Sequence, residues 1–308
     1  MDMTDMTRAA VSRRHFLQLA GAGMLALTGT ALAGCGNSTS SEGSDKGSKL
    51  AAIKSRGHLN AGVKKDVPGY GYYDTAKGRF EGMEVDLCYQ IAAAVFGVSY
   101  KEARAQELVE FADVTPKTRG PLIDNGQLDV VAATYTITDE RKKAVSFAGP
   151  YFVAGQDLLV RKDDNSINGP EDLNGKRLCS VTGSTSAATV KKKFASEVQL
   201  MEQPGYAECA TALFSGIVDA VTTDDIILAG LASASRGKLR VVGKPFTQEY
   251  YGVGIKKGDT ALAKKINAAI AEMIKDGSWE RAIADNTEGT SYTPNAEYNP
   301  PKPTEGEK

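Results

Sequence analysis

The chain has 308 residues, 42% of them hydrophobic and 24% charged, with a formal net charge of −1. That balance excludes nucleic acid as a partner, which calls for a basic face. The two histidines, His15 and His58, cannot build a two-histidine metal motif or a recognisable Ser-His-Asp arrangement, so no metal, no cofactor and no catalytic residue is expected.

In chain order the first signal is Ser12-Arg13-Arg14-His15-Phe16-Leu17, a twin-arginine export pattern. The apolar segment 17–33 that follows is short for a membrane span, which needs roughly 20 predominantly apolar residues. It ends in Leu32-Ala33-Gly34-Cys35, similar to a bacterial lipobox. Residues 1–34 therefore read as a removable signal peptide. Cys35 reads as the lipid-bearing first residue of an exported chain held on the outer face of the cell membrane. Loss of the leader leaves a net charge of −2. Residues 36–49 contain only Gly, Ser, Thr, Asn, Asp, Glu and Lys. They cannot bury apolar surface, so 35–49 is predicted to be a flexible tether. No later segment is long and apolar enough to cross a bilayer.

The remaining body of about 240 residues alternates strand and helix signals. Strands are predicted over 59–63, 128–133, 157–161, 177–181, 217–221, 239–242 and 251–256. Helices are predicted over 84–96, 119–125, 186–194, 207–214, 225–232 and 261–276. Such alternation implies an α/β fold with mostly parallel sheets. The tail after Ser291, rich in Pro, Asn and Glu, is expected to be loose.

Val85, Cys88, Ala92 and Val95 share one helical face, which makes Cys88 a buried small hydrophobe. Cys179 and Cys209 can be oxidised in an exported protein, and a Cys179–Cys209 disulfide is expected. A loop of that size stabilises a fold by ~3–4 kcal/mol in the chain-entropy view.

The stretch Thr134-Tyr-Thr-Ile-Thr-Asp-Glu-Arg141 follows the apolar run 128–133. It therefore lies at the carboxyl end of a strand, where open α/β sheets bind ligands. An arginine fork with hydroxyls beside it suits a carboxylate, because guanidinium offers two parallel N–H donors. The pattern Gly126-x-x-Asp129-x-Val131 precedes Thr134, and Gly216-x-x-Asp219-x-Val221 precedes Asp224. Any helix–turn–strand unit with a glycine cap would show the same spacing. Read as an echo, it sets two strand ends on one cleft, with Asp224 opposite Arg141 and suited to an ammonium. Gly183-Ser-Thr-Ser186 follows another strand and opens a helix, whose free N–H groups favour an anion. Ser184 and Ser186 serve equally well as helix caps.

With these residues in view, the chain resembles the solute-binding proteins of polar amino-acid ABC transporters, known as solute-binding family 3. The matching stretches are Gly78-Arg-Phe-Glu-Gly-Met-Glu-Val-Asp86, Gly126-Gln-Leu-Asp129, Thr136-Ile-Thr-Asp-Glu-Arg141, Phe147-Ala-Gly-Pro-Tyr151, Gly183-Ser-Thr-Ser186, Asp219-Ala-Val-Thr-Thr-Asp224 and Tyr251-Gly252. They run through nearly the whole body in family order. Phe147-Ala-Gly-Pro-Tyr-Phe-Val-Ala-Gly155 and the Cys179/Cys209 pair are similar to the glutamate-binding branch.

The resemblance implies a two-lobed periplasmic-binding-protein-like fold. Lobe 1 would be 50–150 plus 252–308 and lobe 2 156–246, with hinge segments at 151–155 and 247–251. It implies a monomer that closes on an amino acid and docks on an ABC permease and its ATPase subunits. L-glutamate is the expected ligand, with glutamine, aspartate and asparagine as alternatives. By position, Arg141 takes the α-carboxylate, helped by Thr134 and Thr136 and, from lobe 2, by Ser184 and Thr185. Asp224 holds the ammonium. Arg119 reads the distal carboxylate, and Lys64 is either a second basic ligand group or a solvated surface lysine. Gly69 stands where an aromatic is common, so Tyr70 or Tyr72 is expected to supply the apolar wall. Thr223 stands where relatives carry a basic residue, which leaves the choice between glutamate and its neighbours open. Two rivals remain. One is an exported dehydratase on the same fold, using Glu110 or Asp113 as its acid; the other is a sensor for a separate signalling protein.

Overall fold

The computed structural model describes residues 48–290 and 292–302. The expected signal peptide, the lipid site Cys35 and nearly all of the tether lie outside these residues. The chain opens with α1 (Lys49–Arg56), β1 (Leu59–Val63), β2 (Asp66–Val67), β3 (Gly71–Asp74) and β4 (Arg79–Glu81). Next come α2 (Met83–Phe96), α3 (Tyr100–Ala105), β5 (Val109–Asp113), α4 (Arg119–Asp124), β6 (Val130–Val131), α5 (Asp139–Ala144) and β7 (Val145–Ala154). The middle of the chain holds β8 (Gln156–Arg161), β9 (Arg177–Val181), α6 (Ser186–Lys193), β10 (Gln199–Gln203), α7 (Tyr206–Phe214), β11 (Ala220–Asp224), α8 (Asp225–Ala234) and β12 (Leu239–Val241). It closes with β13 (Glu249–Lys256), α9 (Thr260–Lys275) and α10 (Ser278–Thr287).

Among the described residues the strands form two five-stranded sheets, β5-β1-β6-β13-β7 and β10-β9-β11-β8-β12, and a small sheet β2-β3-β4. The first three strands of each large sheet are parallel, as helix-linked alternation predicts. The fourth strand of each, β13 and β8, runs against the other four, so each sheet is mixed yet has most of its strands in one direction. The antiparallel strands are the ones where the chain passes directly from one sheet to the other, with no crossover helix to restore the direction. Strands β1 and β9 are almost wholly buried, as parallel strands are.

The passage between lobes is narrow. Ala154 still pairs with Glu249 in the first sheet, while Gln156 already pairs with Asp224 in the second. Gly155 alone links them outward, and 246–248 link them on the return. The Phe246 N–H donates to Gln156 O at 2.9 Å, and the Gln156 N–H donates to Thr247 Oγ1 at 3.0 Å. Residues 152–154 and 249–251, inside the expected hinge windows, are laddered strand.

Strand β7 escapes prediction because Pro150 interrupts it. The strand lies at a sheet edge and pairs through a register shift near Tyr251, the two settings in which a sheet tolerates proline. Trp279 of α10 packs on this strand: it stacks on Phe152 with centroids 6.0 Å apart and donates Nε1–H to Tyr151 O at 2.7 Å. The tail, expected to be loose, is held at Asn299. Its amide accepts from Val153 N at 3.0 Å and donates to Val153 O at 2.8 Å, as a neighbouring strand would. Cys88 is buried in the core of α2. Among the described residues no helix is long and apolar enough to cross a membrane, and no cluster of His, Cys, Asp or Glu is placed to hold a metal.

Candidate functional site

The chain turns sharply after β6, with Thr134 in the left-handed region at φ 44°. A threonine pays strain for that conformation and keeps it only when its surroundings hold it. Here a buried carboxylate does so. Glu84, at the start of α2, accepts the Thr134 N–H through Oε1 at 2.5 Å and the Tyr151 hydroxyl at 2.5 Å, while its Oε2 has no partner. Burial pushes the Glu84 carboxyl up, against the pull of Lys64. Lys64, just past β1, is buried and donates to Thr134 Oγ1. The surface-lysine alternative is thereby excluded. Burial and the neighbouring Arg119 push the Lys64 ammonium down to about 8.

Two arginines flank the Tyr135 ring. The Arg119 guanidinium lies 3.8 Å from its centroid and that of Arg141 lies 5.0 Å away. Arg119, the first residue of α4, donates Nη1–H to Ala133 O at 2.6 Å and to Thr134 O at 3.2 Å, and its buried Nε–H has no partner. Burial, then repulsion from Arg141, lowers its pKa to about 10. Arg141, in α5, donates to Thr136 O at 2.8 Å and reaches across to Gly183 O at 3.4 Å. The close pass at Gly183 needs glycine, since a Cβ there would sit 3.0 Å from the Lys117 backbone of lobe 1.

The second lobe brings Asp224, at the end of β11. It is buried and accepts the Tyr251 hydroxyl at 2.5 Å. Thr136 forms an isolated bridge with Tyr251, so a short path joins the Thr134–Arg141 stretch to Asp224. Burial, then repulsion from Glu249, raises the Asp224 carboxyl to about 7. Ser184 Oγ lies 3.1 Å from Ser180 Oγ, and Thr185 is the N-cap of α6 with no side-chain cap bond. The capping alternative for Ser184 and Ser186 is not what the structure holds, and the first N–H groups of α6 stay uncapped by any side chain.

The structure thus gathers Lys64, Arg119, Thr134, Thr136 and Arg141 at one lobe's edge, and Asp224, Ser184 and Thr185 at the other's. It also adds groups the sequence reading passed over. Tyr206 is buried, with Lys64 Nζ 4.9 Å from its ring and the Thr223 hydroxyl donating to its Oη at 3.1 Å. Tyr206 is thus the aromatic that stands beside Lys64. Tyr70 is in the core against Phe152, and Tyr72 is 40% exposed. Tyr206 lies over 130 residues from Lys64, so no local pattern could join them. Glu84 belongs to a quoted motif, but an acid at a helix start reads as dipole compensation.

A cavity of about 730 Å³ opens elsewhere, between the β2–β3 hairpin and helices α7 and α8, and includes none of these site residues. The two candidate acids of the dehydratase alternative are also elsewhere in their bonding: Glu110 pairs with His58 at 3.1 Å and Asp113 with Lys65 at 2.7 Å. Cys179 and Cys209 are both buried as thiols, with their sulfurs 3.0 Å apart.

Two α/β lobes joined by two short crossings, with polar residues from the strand ends of both facing one another, form the architecture of a solute-binding protein. The chain belongs to the bacterial extracellular solute-binding proteins, family 3, whose profile matches residues 59–286; it is therefore an exported protein. Among its relatives is the ABC transporter glutamine-binding protein GlnH of Bacillus subtilis, 44% identical over 81% of this chain and 89% of that protein. The glutamate-binding protein GluB of Corynebacterium efficiens is 41% identical over 89% of this chain and 92% of its own. An ancestral arginine-binding protein bound to glutamine superposes with a TM-score of 0.67 at 36% identity, over 75% of this chain and 98% of that one.

Proposed function

We propose that this protein is the lipid-anchored, monomeric capture component of an ABC importer. It takes up an acidic amino acid, L-glutamate, by closing two lobes around it, and hands it to a permease driven by ATPase subunits. One observation carries the choice of an acidic ligand. Lys64 and Arg119 are both buried in lobe 1's share of the site, apart from Arg141, which is half-buried, and the Arg119 Nε–H has no partner. Buried cations with an unmet donor are costly unless an anion joins them. L-glutamate brings a second carboxylate, beyond the one Arg141 takes, to meet them.

In this reading Arg141 takes the α-carboxylate, with Thr134 and Thr136 beside it. Ser184, Thr185 and the α6 N-terminus meet the same group from lobe 2. Asp224 takes the ammonium. Arg119, through its unpartnered Nε–H, and Lys64 meet the distal carboxylate. Binding, not catalysis, is the activity, and Cys35 carries the lipid. Cys179 and Cys209 form a disulfide in the oxidising exterior. L-glutamine is the second reading, favoured by the Bacillus subtilis relative and by Thr223, which offers no further cation.

Calorimetry with a panel of amino acids tests the choice. One-to-one binding with glutamate tightest is expected. Tighter binding of glutamine overturns the acidic assignment, and turnover of a dehydratase substrate such as prephenate overturns the binding-only role.

A further inference from the structure

Helix α7 of lobe 2 begins without a cap of its own. Its N-cap is Gly205, which has no side chain, and the first N–H of the helix, that of Tyr206, points at lobe 1. There it donates to Asp66 Oδ2 at 2.7 Å, a carboxylate carried on β2 of the other lobe. A helix N-terminus with free N–H groups is a favourable place for a carboxylate, both as a hydrogen-bond acceptor and against the helix dipole. The same short segment grips Tyr206 a second time, since Lys64 lies over its ring. It also approaches α8: a Cβ on Gly230 would sit 2.8 Å from Pro68 O.

We infer that Asp66 is a closure latch: a lobe-1 carboxylate that caps helix α7 of lobe 2 only when the cleft is shut, and so sets the open–closed balance without touching the ligand. When the lobes part, α7 loses its cap to water. When they close, the bond forms in a partly buried place and adds to the ligand's own preference for the closed state. A contact of this kind shifts a two-state equilibrium by its difference between the states, and that shift appears as ligand affinity. Asp66 is thus a positioning residue. The inference rests on the reading of the protein as one that works by lobe closure.

The test uses the mature chain and two variants. Asp66→Asn removes the charge. Gly205→Ser gives α7 a cap of its own, and its Cβ crowds Asp66 Oδ2, 2.8 Å away, as well as Glu208 Oε2 of the same helix, 2.6 Å away. Both should bind the tightest amino acid of the panel about tenfold more weakly, through faster release. Paired spin labels across the cleft should show a smaller closed fraction in both. A merely structural role predicts otherwise: Asp66→Asn would lower the ligand-free melting temperature, and Gly205→Ser, which restores a cap, would leave affinity unchanged. Affinity within twofold of the parent for either variant, with an unchanged distance distribution, overturns the latch. Absence of binding by any amino acid to the parent overturns the ligand assignment instead. The latch then stands or falls on the ligand-free distances, where Asp66→Asn must still reduce the closed fraction.

Discussion

The sharpest consequence of the site is a pH dependence of binding. Asp224 is buried, faces Glu249, and titrates at about 7 without ligand. An ammonium docking on it favours the ionised carboxylate, so binding at lower pH must first expel a proton. At about pH 6 roughly one-tenth of the protein has Asp224 ionised, against about nine-tenths at pH 8. From Asp224 alone affinity should therefore be about tenfold lower at pH 6 than at pH 8, with close to one proton released per ligand near pH 6; half-loss of the Lys64 charge at pH 8 brings the net difference for a dicarboxylate to about fivefold. The ligand's own groups titrate outside this window. On the other side, Lys64 loses its charge near 8, and affinity for a dicarboxylate should fall again as it does. The stability of the ligand-free protein runs the opposite way. Asp224 is raised from 3.8 in the unfolded chain to about 7, so its contribution is fully present below 3.8 and is lost as pH rises through about 7. Calorimetry in two buffers of different ionisation enthalpy measures affinity and proton release together. A flat profile between about pH 6 and 8, or an Asp224→Asn protein that keeps the acidic limb, refutes the assignment of Asp224 to the ammonium.

Arg141→Ala should abolish binding of every amino acid, a loss of at least about 100-fold, because a charged bidentate contact and its bond to Gly183 O vanish together. Calorimetry on the panel checks it, and retention of any ligand at parental affinity contradicts the role. Arg119→Met should weaken glutamate by about tenfold more than glutamine; equal losses would mean that Arg119 only holds the Ala133 and Thr134 carbonyls. Reducing the exported protein should lower its unfolding free energy by ~3–4 kcal/mol, read from denaturant midpoints, whereas no change would leave Cys179 and Cys209 as thiols. The fluorescence of Trp279, stacked on Phe152 next to the outward crossing, should change on binding and should do so less in a variant locked open.

The sequence was most legible where a local rule dominates. Strands β1 and β9 match their predicted limits residue for residue, because each is a short, mostly apolar segment set off by turn signals, Gly57 before β1, and Gly175 before and Gly183 after β9. Strand β7 does not, because Pro150 argues against a strand unless the partner and the edge position are known. Strand β10 also has no apolar run to announce it: four of its five residues are polar or exposed, and its place is set by pairing with β9. At the site, Arg141 and Asp224 stand out because each follows a strand end with a charge that needs a purpose. Glu84, Tyr135 and Tyr206 do not. Each acts by being buried against groups 50 or more residues away or by offering a ring face, and neither property is written in a spacing.

These residues also explain why the ligand and the closure belong to one equilibrium. Arg141 bridges to Gly183 O, Tyr251 to Asp224, and Asp66 to the Tyr206 N–H, so three charged or polar links cross between the lobes around the site. Two of the three involve groups assigned to the ligand's own carboxylate and ammonium. In an open cleft Arg141 and Asp224 each face water alone. In a closed cleft without a ligand they are buried with unmatched charge, which is unfavourable. In a closed cleft with an amino acid, each meets its counter-ion. The ligand therefore lowers the energy of the closed state far more than that of the open one, and that difference, rather than the strength of any single contact, drives the lobes together. Through closure Asp66 adds a term that is the same for every ligand, and its charge also helps keep Lys64 protonated. Gly205→Ser, which leaves that charge in place, should move the affinities for glutamate and glutamine by one common factor, whereas changing Arg119 should move them apart.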